Sequence, residues 1–278
     1  MPGAGHDPYR SAMAAAGTSL RPWWETPRPG IGGVMTYQQL PLDLRLRDSS
    51  RFETFHAGNN GLAVAAVQAV ARAFPEAGTG ERQVYLHGDA GSGKTHLLQA
   101  ACHEAFSRGH RCGYLPLAEF AARDPAAVLE ALDQLDLLVL DDLQAVAGQR
   151  GWERALFGLI NRVRDRDGRL VLAARAGPDG IGCLLPDLVS RLAWGPVFRL
   201  EQPGEAGIRT ILQQQAARRG LTLSTAVADY LLRHECRDLD RLLRLLDRLD
   251  LAALAAQRRL TIPFVRAELQ RLSTAGGD

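Results

Sequence analysis

In the stretch GDAGSGKT (88–95), residue types and spacing suit one task, the grip of a phosphate chain. Gly88, Gly91 and Gly93 let the backbone turn so that N–H groups point inward, and Ser92 adds a hydroxyl to the loop. Lys94 is placed to reach terminal phosphates and Thr95 to hold magnesium. Downstream, LLVLDD (137–142) closes an apolar run with two carboxylates. Asp141 is the candidate partner for the metal, and Asp142 the candidate that positions an attacking water, a task more often given to glutamate. The two motifs together predict a nucleoside triphosphate with Mg2+ as the ligand. A glycine-rich turn without a ligand would need no such partner strand.

Two arginines are further candidates. Arg191 lies in LPDLVSRLAWG (185–195), from which a side chain could project toward a neighbouring molecule's nucleotide as an arginine finger. Arg237 starts a helical stretch that could fold over the chain's own nucleotide. The chain holds 33 Lys plus Arg, and Lys94 is its single lysine. Arginine is so common that each of the two, taken alone, reads as surface charge before it reads as a functional group. The lone lysine stands where chemistry asks for a compact ammonium rather than a guanidinium fork.

A phosphate loop works only between a strand and a helix, and the flanking pattern supplies both. QVYLHG (83–88), CGYLPL (112–117), DLLVLDD (136–142), RLVLAA (169–174) and PVFRL (196–200) read as five buried strands. Helical spacing falls between them, over 95–108, 125–135, 152–166 and 185–195, and an Asn59- or Asn60-capped helix precedes Pro75. Such alternation predicts a parallel α/β sheet covered on both faces. After Pro203 the strands stop, and 205–219, 224–234, 238–256 and 263–272 predict a small all-helical domain. The expected organisation is a disordered leader (1–35, with Met35 an alternative start), a peptide and linker (36–50), a nucleotide-binding base domain (51–203) and a helical lid (204–278).

Composition narrows the class. With 46% hydrophobic and 23% charged residues, the chain is ordinary for a globular protein. A net charge of +2 demands no nucleic-acid or membrane partner. No apolar run approaches a membrane span, and no segment resembles a secretory signal. Cys102, Cys112, Cys183 and Cys236 form no CxxC pair, which argues against a zinc site and for a reducing, cytoplasmic setting.

The phosphate loop, LVLDD, five strands and a helical lid resemble an AAA+ ATPase of the replication-initiator clade. More closely, FHAGNNG (55–61), HGDAGSGKTHLLQAAC (87–102), YLPL (114–117), LVLDDLQAVAG (138–148), LPDLVSRLAWG (185–195) and QRRLTIPFV (257–265) resemble the Hda family, regulatory inactivators of the bacterial initiator DnaA. The resemblance spans about residues 38–272. It implies an AAA+ base with a lid, and an inhibitor of DNA replication that promotes hydrolysis of ATP held by DnaA. It further implies Arg191 as the finger given in trans, Arg237 as the lid's sensor, and Phe55, Gly58 and Asn59 as the segment near adenine. The QLPLDL peptide (39–44) then resembles the family's sliding-clamp motif, with Gln39, Leu40, Leu42 and Leu44 docking on the polymerase III β-clamp and reaching DNA through it. On its own the same peptide is an edge strand with three leucines on one face. Ala173 and Ala174 stand where the initiator has small polar residues, so weak hydrolysis in this chain's own site, with ADP as a structural ligand, is the expectation. The rival reading is an autonomous AAA+ motor or helicase loader acting as a homo-oligomer.

Overall fold

The computed structural model describes residues 46, 50–72, 80–234 and 239–275. Gln39, Leu40, Leu42, Leu44 and Arg237 lie outside the described residues. Five strands form one parallel sheet: β1 (Gln83–His87), β2 (Cys112–Pro116), β3 (Leu137–Asp141), β4 (Arg169–Ala174) and β5 (Val197–Arg199). Their order is β2-β3-β4-β1-β5, so the strand that feeds the phosphate loop lies between β4 and β5. Strands β2 and β3 run Cys112 opposite Leu137 to Pro116 opposite Asp141, and all five β3 residues are buried. That two-sided burial is why β3 reads as a continuous apolar run rather than an alternating one.

The helices α1 (Gly61–Arg72) and α2 (Lys94–Ser107) pack on the sheet, followed by the short α3 (Leu117–Phe120) and α4 (Pro125–Val128), then α5 (Arg150–Asp165) and α6 (Pro186–Leu192). Val67, Val70, Leu97, Leu98, Leu137 and Val171 share one fully buried core. A second core is built by α7 (Glu205–Arg218), α8 (Thr225–His234), α9 (Leu239–Ala256) and α10 (Ile262–Ala275), around Leu212, Leu231, Leu246 and Val265. The arrangement is the expected one, a parallel α/β base and a helical lid. Among the described residues, no helix is long and apolar enough to cross a membrane.

One expected helix is not continuous. Over 125–135 the chain makes only α4, capped by the Asp124 carboxylate, and then turns. Ala131 takes the left-handed conformation at φ 58°, and Leu132–Gln134 form a single 3-10 turn. The leucine spacing suggested one amphipathic helix. Tertiary needs won: Leu129 and Leu135 are buried and the chain must enter β3 at Leu137. Asp133 in that turn accepts from Arg166 at 3.0 Å and pairs with Arg162 at 3.6 Å, tying the turn to α5.

Candidate functional site

Strand β1 ends at His87, and the next residue must bend sharply. Gly88 does so at φ 146°, and a Cβ there would stand 2.5 Å from the Leu200 carbonyl oxygen just past β5. Gly93, at φ 91°, leads into α2 beneath Phe55, whose ring would lie 2.5 Å from a Cβ. The loop is therefore a close-fitting turn that only glycine allows at these two positions. It delivers the α2 N-terminus, whose first N–H groups have no helical partners, to the site. Lys94 Nζ donates to the carbonyls of Gly88 at 2.7 Å and Asp89 at 2.8 Å and to Ser92 Oγ at 3.4 Å. Burial lowers the Lys94 pKa from its ordinary value, against the pull of Asp141, Asp142 and Asp89.

Across from Lys94, the β3 terminus brings in Asp141, which is buried. Its Oδ2 accepts from Thr95 Oγ1 at 2.7 Å and from Tyr114 Oη at 2.9 Å, and its Oδ1 accepts from the Asp142 N–H at 2.9 Å. Burial pushes the Asp141 carboxyl upward despite these donors, and burial with the neighbouring carboxylate raises the Tyr114 phenol well above its usual range. A carboxylate and a hydroxyl at this spacing are hard oxygen donors suited to magnesium. No group of three or more His, Cys, Asp or Glu side chains that could hold a metal occurs among the described residues. A divalent ion here would have to share its shell with phosphate oxygens and water, which fits magnesium arriving with a nucleotide.

Asp142 adopts the left-handed conformation, φ 55° and ψ 43°, and turns its carboxylate to Gln144 Nε2 at 2.8 Å. The other end of that amide, Gln144 Oε1, accepts the Arg175 N–H at 3.0 Å. Gln144 thus bridges the end of β3 to the end of β4. Ala173 and Ala174 are buried and bring no polar side chain, and it is Arg175 that β4 delivers to the cleft.

These residues line a cleft of about 520 Å³, within the size range of small-molecule sites. Its base-domain wall includes Phe55, His56 and Asn60, while Gly58 and Asn59 do not line it. The Asn60 side chain clasps the backbone beyond β5, donating to Glu201 O at 3.0 Å and accepting from Glu201 N at 2.9 Å, and Asn59 Nδ2 donates to the Glu201 carboxylate at 2.8 Å. The opposite wall is helical: Ile211, Gln215, Arg219, Leu239, Leu243 and Arg244 reach it from α7, its C-terminus and α9. The apolar members suit a flat heterocycle, and Arg219 and Arg244 suit its phosphates.

Arg191 stands elsewhere. It does not line the cleft. Its Nε donates to Asn161 Oδ1 at 2.8 Å, and its guanidinium carbon lies 4.0 Å from the Trp194 ring centroid and 5.4 Å from that of Phe157.

Residues 46–199 match the family model of the bacterial DnaA ATPase domain, and residues 205–269 match the model of the Hda lid domain. The chain belongs to the DnaA-related AAA+ proteins, and its helical domain is similar to the Hda lid. An uncharacterized protein of Haemophilus influenzae is 38% identical over 230 residues, covering 82% of this chain and 97% of the relative. Domain III of DnaA from Thermotoga maritima matches with a TM-score of 0.70 at 22% identity, over 82% of this chain and 98% of that one, a likeness of fold. AMPPCP-bound DnaA from Aquifex aeolicus matches with a TM-score of 0.60 at 27% identity, over 72% of this chain and 64% of that one.

Sequence reasoning missed several residues of this DnaA-related site. Tyr114, Gln144, Arg175, Arg219 and Arg244 carry no local motif. Each is brought in by a turn or packing contact made far along the chain. Only Tyr114 and Gln144 left a signal, since they lie in the YLPL and LVLDDLQAVAG stretches that carry the family resemblance.

Proposed function

We propose that this chain is a regulator that switches off the DnaA initiator rather than a stand-alone ATPase. The observation that carries the reading is the position of Arg191, held by Asn161 and Trp194 on a face that does not line the chain's own cleft. A guanidinium so placed can act only on phosphates presented by another molecule. Supplied in trans, it stabilises the charge of phosphoryl transfer and is worth about 10³–10⁵ in rate. The chain's own cleft binds an adenine nucleotide, ADP or ATP, with Lys94 and the loop N–H groups on the phosphates and Thr95 and Asp141 toward Mg2+. By the family resemblance Arg237 belongs to the lid side of that nucleotide, and Phe55, which lines the cleft, lies by its base. Here the nucleotide sets the geometry of base and lid. Gln39, Leu40, Leu42 and Leu44 dock on the DNA-loaded sliding clamp, in the cytoplasm, and bring Arg191 to DnaA.

The test is single-turnover hydrolysis of ATP bound to DnaA, with DNA-loaded clamp, with and without this protein. Stimulation that needs the clamp, Gln39-Leu40 and Arg191 supports the reading. If Arg191→Ala stimulates as well as the unaltered chain, the finger assignment is wrong. The intact set Lys94, Thr95, Asp141 and Asp142 favours a second reading, a homo-oligomeric motor. Vigorous steady-state ATP hydrolysis by the purified chain alone, without DnaA, would establish that one instead.

A further inference from the structure

Helix α6 carries Arg191 in its last turn, and the chain then passes through Trp194 and Gly195 into β5. Trp194 is 40% exposed, an unusual place for so large an apolar ring. Its faces are nevertheless used. Arg164, from the last turn of α5, places its guanidinium carbon 3.6 Å over the ring centroid, and Arg191 lies 4.0 Å from the same centroid. Two planar groups this close to one ring centre cannot share a face without overlapping. The indole is therefore sandwiched in an Arg164–Trp194–Arg191 stack. The base of the stack is pinned to β1, because Gln83 Nε2 donates to the carbonyls of Arg191 at 2.8 Å and Leu192 at 3.0 Å. A Cβ at Gly195 would collide with the Gln83 carbonyl, so the turn sits as close to β1 as a backbone can.

The charge balance points outward. On the same stretch, Arg162 and Arg166 both reach the Asp133 carboxylate, at 3.6 and 3.0 Å. No ion pair is formed by Arg164 or Arg191 among the described residues. Ordering two cations on one exposed indole, with no carboxylate between them, concentrates positive charge and freezes two long side chains. Such an arrangement is well matched to an anion carrying several charges in a row. Guanidinium forks fit phosphate oxygens two at a time, and with its Nε given to Asn161, Arg191 keeps its terminal nitrogens as donors.

We propose that Arg164, Trp194 and Arg191 act as one phosphate-reading unit for a nucleoside triphosphate held by a second AAA+ subunit. Trp194 is a positioning residue that fixes the Arg191 guanidinium, and Arg164 supplies a second cationic contact to the polyphosphate. This rests on the trans reading of Arg191 and extends it to two residues that carry no finger motif of their own.

The experiment compares the full chain with Trp194→Ala, Trp194→Phe and Arg164→Ala in single-turnover hydrolysis of DnaA-bound ATP, with Arg191→Ala as reference. The maximal stimulated rate should fall about tenfold in Trp194→Ala, as expected for loss of a cation–π contact at a partly desolvated site. Its half-saturating concentration should stay near that of the unaltered chain, a split that general unfolding would not produce. Trp194→Phe, which keeps an aromatic face, should recover most of the rate. Arg164→Ala should lose several-fold in rate, and its remaining stimulation should depend less steeply on salt. Arginine Nε–Hε NMR of the chain by itself supplies a readout independent of DnaA. The Arg164 and Arg191 signals should show ring-current displacement in the unaltered chain and in Trp194→Phe, and lose it in Trp194→Ala. Stimulation by the unaltered chain that is equal in Trp194→Ala and Arg164→Ala overturns this inference and leaves the regulator reading standing. No stimulation by the unaltered chain overturns both.

Discussion

The nucleotide cleft and the Arg191 face use charge in opposite ways. At the phosphate loop and the end of β3 the ionic groups close on neighbours: Lys94 on loop carbonyls, Asp141 on Thr95 and Tyr114, Asp142 on Gln144. On the Arg191 face two cations stack on an indole and meet no carboxylate among the described residues. The loop and the end of β3 are satisfied internally, which suits a ligand that stays. The Arg191 face leaves charge uncompensated, which suits a surface completed by another molecule. On the proposed reading, one fold separates a holding site from an acting site, with β1 touching both: its end opens the phosphate loop, and Gln83 at its start pins the α6 turn.

The sharpest way to break the comparison is to disable each site in turn. Removing the finger by Arg191→Ala should cost about 10³-fold or more in stimulated hydrolysis of DnaA-bound ATP, while ADP binding measured by calorimetry stays intact. The reverse change, Lys94→Ala, should weaken ADP binding by roughly a hundredfold, through loss of a charge-assisted contact worth about 3 kcal/mol. If Arg191→Ala also abolished ADP binding, the two regions would not be separable.

A smaller effect is expected where the acting face is anchored. The Glu153 carboxylate is buried and accepts N–H groups from Gly148 at 2.7 Å, Leu184 at 2.9 Å and Leu185 at 2.8 Å, which fixes the entry to α6. Glu153→Ala would strand those donors and cost about 3 kcal/mol of stability, read by urea unfolding. Stimulation should drop more than nucleotide affinity does, because α6 carries Arg191.

On the holding side, the raised Asp141 pKa has a sign that can be checked. A carboxyl pushed up by burial contributes stability below the ordinary aspartate range, and that contribution is lost as pH rises through the folded value. Ionising Asp141 in the metal-free chain therefore opposes folding. Asp141→Asn should raise the melting temperature of the nucleotide-free protein by a few degrees, on the order of 1 kcal/mol, while removing the effect of Mg2+ on nucleotide affinity. A fall in melting temperature would mean that the three hydrogen bonds to Asp141 outweigh its burial.

The smallest expected effect lies away from both sites. Burial opposes charge on Asp136, but the hydrogen bonds and charge of Arg111 more than offset it and hold its carboxyl below the usual value. A depressed carboxyl contributes stability above the ordinary aspartate range, lost as pH falls through the folded pKa. The melting-temperature gap between the unaltered chain and Asp136→Asn should be widest near neutrality and close below about pH 4.

Much of the holding site was legible from the residues alone. A glycine-rich turn followed by Lys94-Thr95 needs no distant partner to be recognised, because strand, turn and helix N-terminus are consecutive in the chain. The apolar run ending in Asp141 is equally local, since a strand buried on both faces writes its burial into its own composition. The 125–135 stretch shows the limit. Its leucine spacing spelled a helix, yet Asp133 was needed by Arg162 and Arg166 and the chain had to enter β3. Local periodicity cannot record that demand.

By itself, then, the sequence determined the α/β base, the helical lid and the phosphate loop, because each rests on neighbours within a few residues. Tertiary structure alone decided that Gln144 joins Asp142 to Arg175, that Tyr114 shares Asp141 with Thr95, and that Trp194 lies between Arg164 and Arg191. The members of each set come from different elements, and what unites them is the order β2-β3-β4-β1-β5 and the packing of α5 against α6. Spacing along a chain carries no measure of distance across a sheet, so these contacts exist only once the sheet has closed.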